Sequence, residues 1–133
     1  MVDDPGQALR VVTAMLAPGA ALSVLVANRA AAVLARALGG QFADAARALS
    51  DPAGRWGRGD GTARRFDSDA LTGLLTAVGL GVEAVHGVRV FSDLVPGHLL
   101  DGDTAALVAL EHALAALPPY RDIATQLHVL ARR

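Results

Sequence analysis

Cysteine is absent from this 133-residue chain. That excludes a disulfide framework, a thiolate nucleophile and any zinc site built on cysteine. Lysine is absent as well. All twelve basic residues are arginines, set against thirteen acidic residues, and the net charge is -1. So even a balance supplies no global attraction to nucleic acid. With abundant alanine and glycine, it reads as compositional bias of the genome. Metal-ligand spacing is missing from His86, His98, His112 and His128, and neither H-E-x-x-H nor G-x-S-x-G occurs. Long apolar runs are missing too. The stretch from Val11 to Ala27 is divided by Pro18-Gly19, whereas a membrane helix needs ~20 consecutive apolar residues. The same stretch follows Arg10 but is led by Asp3 and Asp4, and a secretory signal needs a positive leader. These absences predict one cytoplasmic domain over residues 1–133, and an apolar fraction of 53% is ample for its core.

What is present alternates helix and strand. Asp4 and Pro5 are an N-cap and a first-turn proline. They open a helix to Leu16 with Leu9, Val12 and Leu16 on one stripe. Pro18-Gly19 ends it, and Ala21–Ala27 reads as a strand whose apolar residues Leu22 to Val26 are buried on both faces. A long helix from Ala30 to Leu49 follows, capped by Asn28-Arg29, bent or broken at Gly39-Gly40, with Val33, Leu34, Leu38, Phe42 and Leu49 as its apolar face. Ser50–Phe66 carries the glycines Gly57, Gly59 and Gly61 among others, the four arginines Arg55, Arg58, Arg64 and Arg65, and the single tryptophan, Trp56. That composition predicts a mobile basic loop. It is either a solvated loop with Trp56 folded onto the body, or a lid contacting substrate. A helix over Ala70–Val78, a strand over Val82–Phe91 irregular at Gly87, a loop over Asp93–Asp103, a helix over Ala105–Leu117 and a final strand over Thr125–Ala131 complete the order. Gly79-Leu80-Gly81-Val82-Glu83-Ala84 matches a dinucleotide fingerprint in letters only. It closes a helix and opens a strand, the reverse of what that motif requires.

This order, with Leu16-Ala17-Pro18-Gly19-Ala20, Phe66-Asp67 through Gly79-Leu80 and Gln126-Leu127-His128-Val129-Leu130-Ala131-Arg132, resembles the C-terminal half of class I S-adenosylmethionine-dependent methyltransferases. Val2-Asp3-Asp4-Pro5 falls where that family continues from its fourth strand. Gly87-Val88-Arg89-Val90-Phe91-Ser92-Asp93, Leu110-Glu111, Pro119-Tyr120 and Asn28 resemble the subfamily that methylates the carboxymethoxy group of a tRNA wobble uridine. The resemblance implies an α/β fold holding only strands 5-7-6 of a Rossmann-like sheet, the last strand antiparallel and the first four strands missing. The glycine-rich turn and the acidic ribose partner that hold such a ligand belong to the missing part. The implied reading is a fragment that uses S-adenosylmethionine only in the complete enzyme and is inactive alone.

Methyl transfer to a carboxylate rests on positioning and charge neutralisation, and arginine's planar fork suits a carboxylate. Arg64, Arg65 and Arg89 are therefore the candidate substrate contacts, Tyr120 a candidate for stacking on a base, and Asn28 a candidate pocket residue at a strand's carboxyl end. Each has a structural alternative: Arg89 paired with Asp93 or Glu83, Tyr120 packed behind the two prolines, Asn28 only capping a helix. No catalytic or metal-binding residue is assigned. The expected partner is tRNA or a small carboxylate-bearing substrate. Because Ala21–Ala27 carries no charge and no proline, self-association through that strand is also expected. The alternative is a non-catalytic α/β module that docks on a partner chain.

Overall fold

Asp4 begins the first helix as expected: its Oδ1 accepts from the Gln7 N–H at 2.9 Å, and Pro5 takes the first position of α1 (Pro5–Met15). The structure, a computed structural model, describes residues 3–133. Met1 and Val2, where the resemblance to the segment after a fourth strand begins, lie outside the described residues. The chain is a mixed α/β structure. After α1 come β1 (Ala21–Ala27), α2 (Arg29–Leu38), α3 (Phe42–Ser50), α4 (Ser68–Ala77) and β2 (Gly81–Val88). A single-turn helix α5 (Gly97–Leu100), α6 (Thr104–Leu114), a 3-10 turn (Tyr120–Ile123) and β3 (Gln126–Arg132) complete the order.

The sheet has the order β1-β3-β2, with β3 antiparallel to both neighbours. The last strand thus lies in the middle. Val24 sits opposite Val129, and Val129 opposite Val85. Leu127, Val129 and Ala131 point to one face and are fully buried. On that face α1 and α4 pack, and Leu71, Leu75 and Leu80 fill the core together with Leu9, Leu22, Val24 and Val26. Leu71, Leu75 and Leu80, fully buried, each contribute about 1.5–3 kcal/mol. A second, smaller cluster of Val90, Leu114 and Ala124 joins the strand ends to α6.

Five expectations change. The strand β1 is not buried on both faces: Ala21, Ser23 and Leu25 are exposed, Leu25 by 54%, because α1 and α4 cover the other face. The long helix is broken at Gly39-Gly40, as its two glycines predict, but its apolar face is not the expected one. Gly40 takes φ +74°, a left-handed turn that suits glycine, and α3 folds back on α2. The small residues Ala45 and Ala48 then form the packed face, while Leu38, Phe42 and Leu49 are exposed. The strand irregularity lies between Val82 and Ala84, not at Gly87. The strand also stops at Val88, because Arg89 turns the chain with φ +59°. Within the expected loop after Asp93, Gly97–Leu100 forms the helical turn α5.

Gly87 has a different duty. A Cβ there would lie 2.7 Å from the Arg121 Cα and carbonyl oxygen and 2.8 Å from the Ala124 Cβ. Only glycine lets the 3-10 turn press onto β2. On the outer side of β1, Phe66 N–H donates to the Ala27 carbonyl and Arg29 N–H to the Phe66 carbonyl, both at 2.9 Å. Toward the Ala21 end of that side, no backbone partner is present among the described residues. Among the described residues no helix is long and apolar enough to cross a membrane.

Candidate functional site

Asn28 directly follows β1 and is 1% exposed. Its Oδ1 accepts from the Ala30 N–H at 3.1 Å, capping α2. Its Nδ2 donates to the carbonyls of Asp122 at 2.8 Å and Ala124 at 2.7 Å, fastening the approach to β3. The amide is therefore committed to structure, and it forms the back wall of a cleft of about 270 Å³. From Asn28 the α2 face runs through Ala31, Ala32 and Ala35 to Arg36, small residues one helical turn apart that leave the space open. Trp56, Arg65, Asp93 and Thr125 close the other sides.

The loop between α3 and α4 is fastened by hydrogen bonds rather than loose. Asp60, 1% exposed at its side chain, accepts from Arg65 Nη1 at 2.5 Å and Nη2 at 3.0 Å. It also accepts from the backbone N–H groups of Trp56 at 3.0 Å and Thr62 at 2.9 Å. Burial pushes the Asp60 carboxyl up, but these donors outweigh it and hold the group well below its ordinary value. Arg47 Nε donates to the Trp56 carbonyl at 2.9 Å, so the tryptophan backbone is clamped from both sides. Its indole lies under the Arg36 guanidinium, 3.8 Å from ring centroid to cation. That is close enough for a cation–π contact. Arg29, at the start of α2, donates to the carbonyls of Leu49, Asp51 and Pro52 at 3.0–3.1 Å, tying the end of α3 to the same wall. Trp56 is thus folded onto the body, the first of the two readings open for it.

The sequence-derived candidates divide. Asn28 and Arg65 meet in the cleft, but Arg65 is neutralised by Asp60 and serves the loop. Arg64 lies elsewhere, beside an apolar trough of about 330 Å³ lined by Pro5, Ala8, Leu9, Val24 and Phe66. Arg89 is an exposed residue paired with Asp93 at 3.5 Å, and Asp93 in turn accepts from the Thr125 hydroxyl at 2.6 Å. Tyr120, 42% exposed, opens the 3-10 turn and does not line the cleft. His128 accepts or donates a hydrogen bond with Ser23 Oγ at 2.8 Å and stacks on His86 with ring centroids 5.7 Å apart, on the sheet face away from α1.

Two residues carry more of the site than their sequence context suggested. Glu111, on α6, accepts from three consecutive backbone N–H groups: Val90 at 2.7 Å, Phe91 at 2.6 Å and Ser92 at 2.8 Å. Burial raises its carboxyl, but the three donors prevail and the group stays below its ordinary value. It shapes the turn that delivers Asp93 to the cleft. Arg36 is the second. Among the described residues it has no carboxylate within ion-pair distance, its Nη1 donates to Gln41 Oε1 at 2.7 Å, and it lines the cleft. The signal for it was the small-residue stripe between Asn28 and Arg36.

Gly79, at φ +87°, terminates α4, and Leu80 is buried in the core. The glycine stretch therefore supplies no turn open to a ligand. No protein-family model matches the chain, and no curated protein matches it.

Proposed function

We propose that this chain forms the acceptor-binding, C-terminal part of an S-adenosylmethionine-dependent methyltransferase of Rossmann-like fold, acting on a carboxylate of a modified tRNA uridine. The observation that supports it most is the cleft at the carboxyl end of β1, where ligands sit in open α/β sheets, walled by an indole and a guanidinium. Those groups suit a base bearing an acidic substituent. The central antiparallel last strand agrees with this reading. The cofactor is held by the rest of the enzyme, and this chain alone transfers no methyl group.

The single tryptophan provides the test. Titrating the chain with an anticodon stem-loop carrying 5-carboxymethoxyuridine should change Trp56 fluorescence saturably, and the loop with plain uridine should not. S-adenosylmethionine should give no saturable signal by fluorescence or calorimetry. Equal responses to both stem-loops would overturn the acceptor assignment.

A specific feature favours a second reading, a small α/β module that docks on another chain or on its own copy. The outer lane of β1 offers unpaired backbone groups beside exposed Leu25. Sedimentation of the purified chain tests the self-docking form: a concentration-independent monomer removes it.

A further inference from the structure

The cleft contains three arginines or arginine-linked groups, and their charges are not equivalent. Arg65 is held in a bidentate pair with Asp60, both side chains nearly buried. Arg89 faces Asp93. Arg36 has only the neutral Gln41 amide and the Trp56 ring as partners. It is the one cleft-lining cation whose charge no described carboxylate offsets. The guanidinium carbon lies 3.8 Å from the indole centroid, and Gln41 engages only Nη1. The donors not engaged by Gln41 remain available to an acceptor in the cleft.

We propose that Arg36, presented on Trp56, is the residue that reads an acidic ligand in this cleft, and that the ligand is a planar ring bearing a carboxylate. This rests on the acceptor reading above and assigns its anion contact to α2 instead of to the arginines of the basic loop. The size agrees: about 270 Å³ accommodates one ring with a short substituent. The wall agrees too. Alanines at 31, 32 and 35 provide a flat apolar floor, while Asn28, with its amide consumed, offers no competing donor. Gly59 contributes indirectly. A Cβ there would meet Trp56 Cη2 at 3.3 Å, so a larger residue shifts the indole.

The experiment is a Trp56 fluorescence titration with two probes, 5-carboxymethoxyuridine and benzoate, on the parent chain, Arg36→Gln, Arg36→Lys and Arg64→Gln. Circular dichroism and thermal melts of each variant report folding. The expected result is saturable binding by the parent chain, weakened about tenfold or more in Arg36→Gln, because a charge-assisted bond is lost. Arg36→Lys, which keeps the charge and loses the fork, should be intermediate, and Arg64→Gln unchanged. Folded Arg36 variants that bind both probes like the parent overturn the inference and leave the acceptor reading standing. Arg36-dependent binding of benzoate without binding of 5-carboxymethoxyuridine upholds the inference and removes the acceptor reading. Failure of the parent chain to bind either probe overturns both.

Discussion

Asp60 and Arg65 meet through both carboxylate oxygens and both terminal guanidinium nitrogens, and they do so inside a loop of glycines and arginines. The pair converts a segment with little apolar content into a fixed wall. Removing Asp60 strands a buried guanidinium and releases the Trp56 and Thr62 N–H groups. Asp60→Ala should cost about 3 kcal/mol of stability, the range for breaking a buried pair, measured by urea unfolding. Arg65→Ala should disturb Trp56 fluorescence with no ligand present, so a loss of binding in that variant reports loop structure as much as contact.

The same pair sets an acid limit. The Asp60 carboxyl is held below its ordinary value of 3.8 in the folded chain and returns to it on unfolding. Its contribution is therefore present above pH ~4 and is lost as pH falls through the folded value. Glu111, depressed from 4.5, acts in the same direction. Acid titration of the folded fraction should show unfolding that is less steep in Asp60→Asn, already destabilised, than in the parent. An equal slope would contradict the assignment.

Glu111→Ala leaves three backbone N–H groups without their acceptor. About 2–3 kcal/mol of lost stability is expected, with faster amide exchange at residues 90–92 than elsewhere. Glu111→Gln should recover part of it, since one amide oxygen still accepts.

At Gly87 the prediction is steric. Alanine would drive a methyl group into the Arg121 backbone, which is not the yielding end of a side chain. Gly87→Ala should cost about 1–3 kcal/mol and detach the 3-10 turn from β2, seen as broadened resonances at residues 120–124. A melting temperature unchanged from the parent would refute this packing.

Two substitutions on β1 separate edge from core. Val24 is half-buried against the main core, so Val24→Lys should lower the melting temperature. Leu25 is exposed, and Leu25→Lys should leave the melting temperature within a few degrees while shifting sedimentation toward the monomer. Unaltered self-association in Leu25→Lys would place the contact elsewhere.

Much of the fold was legible because its determinants are local. The range of β1, the Asp4 and Asp67 caps and the break at Gly39-Gly40 follow from residues within one or two turns of each other. The site was less legible, because its pairs are joined by tertiary packing. Arg36 and Trp56 are twenty residues apart, and they meet only because α3 folds back on α2. Asn28 reads as a helix cap in sequence, and its two further bonds to the segment before β3 depend on a strand that arrives nearly a hundred residues later. Arginine-rich composition pointed to Arg64 and Arg65, yet composition does not say which arginine keeps its charge once a buried aspartate has chosen a partner.

The two flanks of the sheet are closed to different degrees. On β2 the bulge between Val82 and Ala84, the charged Glu83 and the bond from Gly87 N–H to the Ala115 carbonyl at 2.7 Å interrupt the border. On β1 the Phe66 backbone obstructs only the Ala27 end. A sheet with one usable border does not polymerise: once two copies join along it, each presents only its interrupted flank. Association of this chain through β1 would therefore terminate at a pair instead of growing into a fibre.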